Sequence, residues 1–180
     1  MAKTKSKKEK NPAAAQAPKG GHTISMLVAN KPGVLMRIAS VFARRGFNID
    51  ALVVSATVNP HYSRMTITAQ GNPQILDQII KQASKLIDVL HVGEHNPEEA
   101  VEKELALVKV RSTPALRIQI KKLMAQFHAH AVDMTDAAFI IEQTGSTAEL
   151  DEFENRLKKF GILEIVRTGK IVMTRGKEQT

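Results

Sequence analysis

The same order of strand and helix patterns occurs twice along this chain, and the repeat restricts the possible folds more than any other feature. The first copy has strand patterns at 22–29, 48–58, 64–69 and 89–94, with one helical pattern after the first strand and another after the third. The second copy has strand patterns at 105–111, 131–134, 137–144, 162–167 and 171–174, with helices in the corresponding places. Each copy therefore has the order β-α-β-β-α-β, and the second carries one more strand.

Capping residues mark the ends of the predicted helices. Asn72-Pro73 and Thr113-Pro114 each place an N-cap residue before a proline at the first helical position, and Ser146 with Glu149 matches a capping box. Gly46 and Gly161 stand where left-handed residues end helices. The apolar faces predicted for the four helices are Val34, Leu35, Ile38, Ala39 and Phe42; Ile75, Leu76, Ile79, Ile80, Ala83, Leu86 and Ile87; Leu116, Ile120, Leu123, Met124 and Phe127; and Leu150, Phe153, Leu157 and Phe160.

Two such copies predict an α+β protein of two tandem ferredoxin-like units, each an antiparallel sheet covered on one face by two helices. We place the boundary near Asn96-Pro97-Glu98-Glu99, which gives units at 21–96 and 97–180. In this fold the strand at 48–58 lies at a sheet edge, and its stretch 51–54 is apolar on both faces, without Lys or Pro. We expect this edge to pair with the same edge of a second copy in a symmetric homodimer.

Composition and charge exclude several classes of protein. The absence of Cys from all 180 residues excludes disulfide scaffolds, thiol nucleophiles and Cys-ligated zinc. No apolar run approaches the roughly 20 residues of a membrane span, and no signal peptide precedes residue 22, so we expect a cytoplasmic protein without a membrane partner. Six Lys and one Glu in residues 1–20 supply five of the eight net positive charges. We expect a disordered basic tail there, and its lack of Arg and aromatic residues argues against nucleic acid as a partner.

The sequence contains no recognisable catalytic or metal motif. G-x-S-x-G, phosphate-loop and G-x-G-x-x-G patterns are absent, and the carboxylates do not form a paired set. His128 and His130 could face the same side of an extended segment, but no third ligand is spaced to complete a metal site. We therefore expect no catalytic residue, no metal and no cofactor in this chain itself.

The break between the first strand and the first helix is the most informative candidate site. Asn30-Lys31-Pro32-Gly33-Val34-Leu35 places unpaired backbone N–H groups at a helix start, where the dipole favours an anion, and Gly33 allows close approach. A carboxylate at the helix start and an ammonium on the Asn30 carbonyl would suit a free α-amino acid. Asn48 and Ile49 could face this pocket from a second copy. The alternative is that Pro32-Gly33 only turns the chain and Asn48 only begins a strand.

Residues 22–58 resemble an ACT domain, and more narrowly the small regulatory subunit of acetohydroxyacid (acetolactate) synthase. The resemblance rests on Asn30-Lys31-Pro32-Gly33-Val34-Leu35, on Arg37-Ile38 and Phe42, and on the run Arg45-Gly46-Phe47-Asn48-Ile49-Asp50-Ala51-Leu52. It extends over about residues 22–175, including the Leu107-Val108-Lys109-Val110 strand. The Lys-rich extension at 1–20 departs from the bacterial family.

The resemblance implies a regulatory role. The family's large catalytic subunit carries thiamine diphosphate, Mg²⁺ and FAD, and the small subunit activates it and confers feedback inhibition, usually by valine, in the biosynthesis of valine, leucine and isoleucine. The match implies that Asn30, Gly33, Val34 and Leu35 hold a branched-chain amino acid in one chain. Asn48 and Ile49 of a second copy would then close the site. The second half is expected to be an ACT-like unit that helps assembly, with no assigned ligand.

Two other functions remain compatible with the residues alone. A stand-alone tandem-ACT regulator of gene expression would use the +8 net charge to bind nucleic acid, and its binding would depend steeply on salt. A small metabolic enzyme would need a nucleophile and a base in one site, for which the sequence offers no constellation. An assay of the chain alone with pyruvate separates the enzyme from the regulatory subunit.

Overall fold

Each helix lies between strands in the described part of this computed structural model, which comprises residues 21–177 and Thr180. The predicted basic tail, 1–20, lies outside the described residues. The elements in chain order are β1 (His22–Ala29), α1 (Val34–Arg44), β2 (Ile49–Ala56), β3 (Tyr62–Ala69), α2 (Pro73–Ala83), β4 (Val89–His95), β5 (Ala100–Arg111), α3 (Pro114–Phe127), β6 (His130–Met134), β7 (Ala138–Gly145), α4 (Thr147–Leu157), β8 (Ile162–Arg167) and β9 (Ile171–Thr174), with a 3₁₀ turn at Lys158–Phe160.

The first sheet is antiparallel, with strand order β2-β3-β1-β4. Residues that alternate along each strand point toward α1 and α2, because successive side chains of a strand face opposite sides of the sheet. They form a core with one face of each helix, which comprises Ile24, Met26, Val28, Val34, Ile38, Phe42, Phe47, Met65, Ile67, Ala69, Leu76, Ile79 and Ala83. The sheet confirms the predicted edge position of β2.

The second sheet repeats this arrangement with the order β6-β7-β5-β8. Its core again lies between the sheet and two helices, where the Phe127 and Phe153 rings pack with their centroids 5.2 Å apart. The capping box of α4 forms as predicted: the Ser146 hydroxyl accepts from the Glu149 N–H, and the Glu149 carboxylate accepts from the Ser146 N–H. The α+β fold of two tandem ferredoxin-like units is therefore confirmed, whereas the boundaries 21–96 and 97–180 stay a prediction.

The strand β5 belongs to the second sheet and is longer than the sequence pattern predicts. It begins at Ala100 rather than Leu105, and its first four residues pair with β9 in a two-stranded ribbon, from Ala100 opposite Thr174 to Lys103 opposite Ile171. This β5–β9 ribbon lies over the helix-free side of the first sheet. The Lys170 ammonium, which precedes β9, is 2.9 Å from the Glu102 carboxylate and 3.4 Å from the Thr23 hydroxyl of β1.

Two expectations about element ends are wrong. We expected the apolar face of α2 to continue to Ile87, but the helix ends at Ala83 and the Ile87 side chain is 97% exposed. The C-cap residue Ser84 donates its hydroxyl hydrogen to the Lys81 carbonyl, and such local bonds compete with helical continuation. The strand predicted at 48–58 stops at Ala56, where the Thr57 hydroxyl bonds the Asn59 carbonyl and closes the turn.

Candidate functional site

The start of α1 presents uncapped backbone amides. Gly33 is the N-cap residue in the left-handed region, at φ 84°, and no side chain caps the helix. Val34 N–H bonds the Lys31 carbonyl at 3.4 Å, whereas the N–H groups of Gly33, Leu35 and Met36 have no backbone acceptor among the described residues. Free N–H groups at a helix start attract an anion, because the helix dipole leaves partial positive charge there. The predicted anion-binding geometry is therefore available at this point.

The Asn30 side chain precedes the start of α1, and one of the two polar atoms of its amide group is already hydrogen-bonded. Its Nδ2 donates to the Pro60 carbonyl at 3.0 Å, and its backbone N–H donates to the His61 carbonyl at 2.8 Å. Both bonds fix Asn30 against the turn that joins β2 and β3. The carbonyl oxygen Oδ1 is left as an acceptor, which is the atom that an ammonium group requires.

Arg37 is a neighbour of this helix start that the sequence analysis did not assign to the site. Its Nε and Nη2 donate to Asp88 Oδ2 at 2.9 and 2.6 Å, and the Asp88 side chain is only 13% exposed. Its third nitrogen, Nη1, lies 3.3 Å from the position that a Cβ on Gly33 would take. The i, i+4 spacing of Gly33 and Arg37 could have indicated this contact, since such residues share a helix face. Asp88 lies 51 residues further along the chain and gives no local signal.

Val34 and Leu35 differ in what they can offer a ligand. The Val34 side chain is 3% exposed and belongs to the core, so only its backbone faces the helix start. The Leu35 side chain is 44% exposed and Met36 is 71% exposed. Among the predicted site residues on α1, Leu35 is therefore the one with an aliphatic surface for a ligand side chain.

Asn48 and Ile49 lie at the other end of α1 from Asn30 and Gly33. The 11 residues of α1 separate the two groups by about 16 Å at 1.5 Å per residue. Asn48 is exposed and donates to Asp50 Oδ1 at 3.0 Å, while Ile49 packs against the core of its own sheet. A single chain therefore does not bring these two groups of predicted residues together, and their assignment to one site stays a prediction.

The described residues contain neither a metal-ligating cluster nor a membrane-spanning helix. Within residues 21–177 and Thr180, no group of three or more His, Cys, Asp or Glu side chains is placed to hold a metal ion. His128 ends α3 in the left-handed region, at φ 54°, and His130 begins β6. None of the described helices combines the length and the apolar character needed to cross a membrane.

Comparison with known proteins finds family models and relatives that cover both halves of the chain. Two family models match, "AHAS small subunit-like ACT domain" at residues 24–91 and "Small subunit of acetolactate synthase" at residues 103–176. A probable acetolactate synthase small subunit of Archaeoglobus fulgidus is 44% identical over 158 residues, which is 88% of this chain and 99% of the relative. The acetolactate synthase small subunit of Mycobacterium bovis is 41% identical over 155 residues, or 86% of this chain and 92% of the relative.

A solved structure gives the same result in three dimensions. The crystal structure of the acetolactate synthase small subunit from Thermotoga maritima superposes with a TM-score of 0.79 at 40% sequence identity. The match covers 87% of this chain and 98% of that chain. Both halves of the fold are therefore shared with a single chain of known structure.

Proposed function

Because this chain belongs to the acetolactate synthase small-subunit family, we propose that its N-terminal unit binds a branched-chain amino acid between two copies and so controls the catalytic subunit. The chain is a regulatory subunit without catalytic activity of its own, and its partner is the catalytic subunit of acetolactate synthase. The stand-alone regulator of gene expression is not favoured, since the relatives share both halves of the chain and are named as small subunits of this enzyme. Thiamine diphosphate, Mg²⁺ and FAD belong, in this proposal, to the catalytic subunit.

The uncapped start of α1 carries the proposal of an amino-acid effector. A carboxylate there would accept from the free amides of Gly33, Leu35 and Met36 and from Arg37 Nη1, while Asn30 Oδ1 would accept from the ammonium group. Exposed Leu35 would contact an aliphatic side chain. We assign Asn30, Gly33, Val34 and Leu35 to this half of the site.

The strand register supports a second copy as the source of the other half. Ser63 of β3 stands opposite both Val28 and Ala56, so the end of β2 lies level with the end of β1, just before Asn30. If two copies of β2 pair antiparallel about a two-fold axis, the start of one β2 lies beside the end of the other. The second copy's Asn48 and Ile49 would then approach the α1 start of the first.

Inhibition then follows from linkage. An amino acid held between two copies stabilises one dimer geometry relative to others, and it shifts the catalytic subunit only by its differential affinity for those states. Couplings of this kind typically amount to about 1–3 kcal/mol. Effector binding is therefore expected to be abolished when the dimer is prevented, even where each copy stays folded.

The direct test of the function is reconstitution with a catalytic subunit. The two chains are co-expressed, purified through a tag on one of them, and assayed for acetolactate formation from pyruvate with and without valine. We expect co-purification, higher activity than the catalytic subunit alone, and inhibition by valine. A catalytic subunit that neither retains this chain nor changes its rate would contradict the proposal.

Arg37→Gln is expected to weaken valine binding by at least about tenfold, because a hydrogen bond to a charged group contributes about 1.5–3 kcal/mol. Calorimetry with valine measures the change. Arg156→Gln is the matched control, since Arg156 makes an exposed i, i+4 pair with Glu152 on α4. A thermal melt accompanies both variants because Arg37→Gln also removes the partner of Asp88. A wild-type isotherm for Arg37→Gln would show that Nη1 does not contact the effector.

Asn48→Ala is expected to weaken valine binding by a similar factor, although Asn48 lies far from Gly33 within one chain. The control is Asn155→Ala, an exposed Asn on α4 that accepts a hydrogen bond from Lys158. Calorimetry at a concentration where the wild type is dimeric gives the comparison. Unchanged binding by Asn48→Ala would remove the second copy from the proposed site.

A further inference from the structure

A cleft of about 500 Å³ lies between the first sheet and the β5–β9 ribbon. One wall consists of β2 and β3 on the side of the sheet that faces away from α1 and α2, and the other consists of the ribbon. Its surface is mostly aliphatic, supplied by Val53, Val58, Val101, Ile171 and Met173. Cavities of roughly 300–1,000 Å³ are the usual size of small-molecule sites. The cleft shares no residue with the predicted effector site.

Arg64 of β3 is the unusual group in this cleft. Among the described residues, nothing accepts a hydrogen bond from its guanidinium, and its Nη1 is buried without a partner. Partial burial lowers the pKa of the Arg64 guanidinium from its ordinary value, because desolvation disfavours the charged form. By contrast, Arg167 of β8 bonds the carboxylates of Glu104 and Asp151. A guanidinium nitrogen that is buried without an acceptor is costly, so an anion that accepts a hydrogen bond from Nη1 would be stabilised in the cleft.

A second cation lines the same cleft. Lys103 of β5 has its ammonium 4.0 Å from Glu149 Oε2, at the outer limit of an ion pair. That carboxylate oxygen already accepts from the N–H and the hydroxyl of Ser146. Lys103 is therefore only weakly paired and lines the cleft together with Arg64, Thr180 and the aliphatic side chains.

We propose that this cleft binds an organic carboxylate with an aliphatic body, held by the Arg64 guanidinium and covered by the β5–β9 ribbon. Arg64 and Lys103 recognise the carboxylate, because a guanidinium donates to carboxylate oxygens in a fixed planar geometry and an ammonium adds a point charge. The aliphatic walls favour a ligand with a hydrocarbon chain over an inorganic anion of the same charge. Such a ligand would join the ribbon of the second unit to β2 and β3 of the first.

The full-length chain is titrated with octanoate and, separately, with acetate. Binding is followed by NMR in solution through the shifts of the protein's backbone amide signals. We expect octanoate to shift signals of Val53, Thr66, Val101 and their neighbours and to bind at least tenfold more tightly than acetate. Arg64→Gln is expected to weaken octanoate binding by tenfold or more, whereas Arg156→Gln on α4 keeps wild-type affinity.

The thermal melt of the apo protein gives a second readout. Because Arg64→Gln removes a cation that has no partner among the described residues, the melting temperature should stay the same or rise, which separates a lost ligand contact from misfolding. Three results would overturn the proposal: no shift with millimolar octanoate, equal affinity of wild type and Arg64→Gln, or shifts confined to the start of α1. If the wild type does not bind octanoate and Arg64→Gln sediments differently from the wild type, the proposal is also wrong, and the cleft is instead a contact between copies.

Discussion

Gly33→Asp is expected to abolish inhibition by valine in the reconstituted enzyme while leaving activation of the catalytic subunit largely intact. The new carboxylate would stand at the α1 start, beside Arg37 Nη1, where the effector's own carboxylate is proposed to bind. It would occupy the positive site from within the chain and repel a second anion. Acetolactate formation is measured against valine concentration, and we expect the inhibition midpoint to rise by at least a hundredfold.

The control for this variant must include the same backbone strain. Gly33 has φ 84°, and a side chain in this left-handed region costs roughly 1–2 kcal/mol. Gly176→Asp is the matched change, because Gly176 has φ 80° and open space around its Cβ position. Gly176→Asp should keep wild-type inhibition. If Gly33→Asp also keeps it, the amides of α1 do not bind the effector.

Val54→Lys is expected to convert the proposed dimer into a monomer and thereby remove valine inhibition. Val54 lies on the edge strand β2 and is 46% exposed in the single chain. In a two-fold pairing of β2, both copies would bring an ammonium group to the same short interface, and lysine on an edge strand opposes pairing. Sedimentation velocity at micromolar concentration measures the change.

Ile118→Lys is the matched control for the edge variant. Ile118 is 78% exposed on α3, so the substitution adds the same charge to a helix instead of a sheet edge. We expect this control to sediment and to respond to valine like the wild type. A monomeric wild type, or a Val54→Lys protein that sediments as a dimer and responds to valine, would contradict the proposed use of β2.

Patterns with a local physical cause were predicted from the sequence, and patterns fixed by distant contacts were not. Asn72 caps α2 by accepting from the Gln74 N–H at 2.8 Å, as its position before Pro73 predicts. The start of β5 was missed because Glu102 and Lys103 are poor strand formers, and only the pairing with β9 makes them extended. Such pairing joins residues about 70 positions apart and has no local signature.

The same distinction between local patterns and distant contacts applies to the residues of the candidate site. The free amides at Gly33 follow from a strand, a Pro-Gly break and a helix, all of which are local. The approach of Arg37 to Gly33 and its pairing with Asp88 depend on the packing of α1 against the segment before β4. Whether Asn48 and Ile49 join the site depends on a second copy, so one chain's sequence supplies the hypothesis and a dimer experiment must decide it.

Gly169 packs closely against β2, so the edge strand of the first sheet contacts both halves of the molecule. A Cβ on Gly169 would lie 2.6 Å from the Ala51 Cβ, so the loop between β8 and β9 rests directly on the strand. A displacement of β2 toward this loop is therefore opposed by direct steric contact with the residues that lead into β9. We expect a shift of the edge strand to change the position of this loop through that contact, in addition to any effect through the chain segment between β4 and β5.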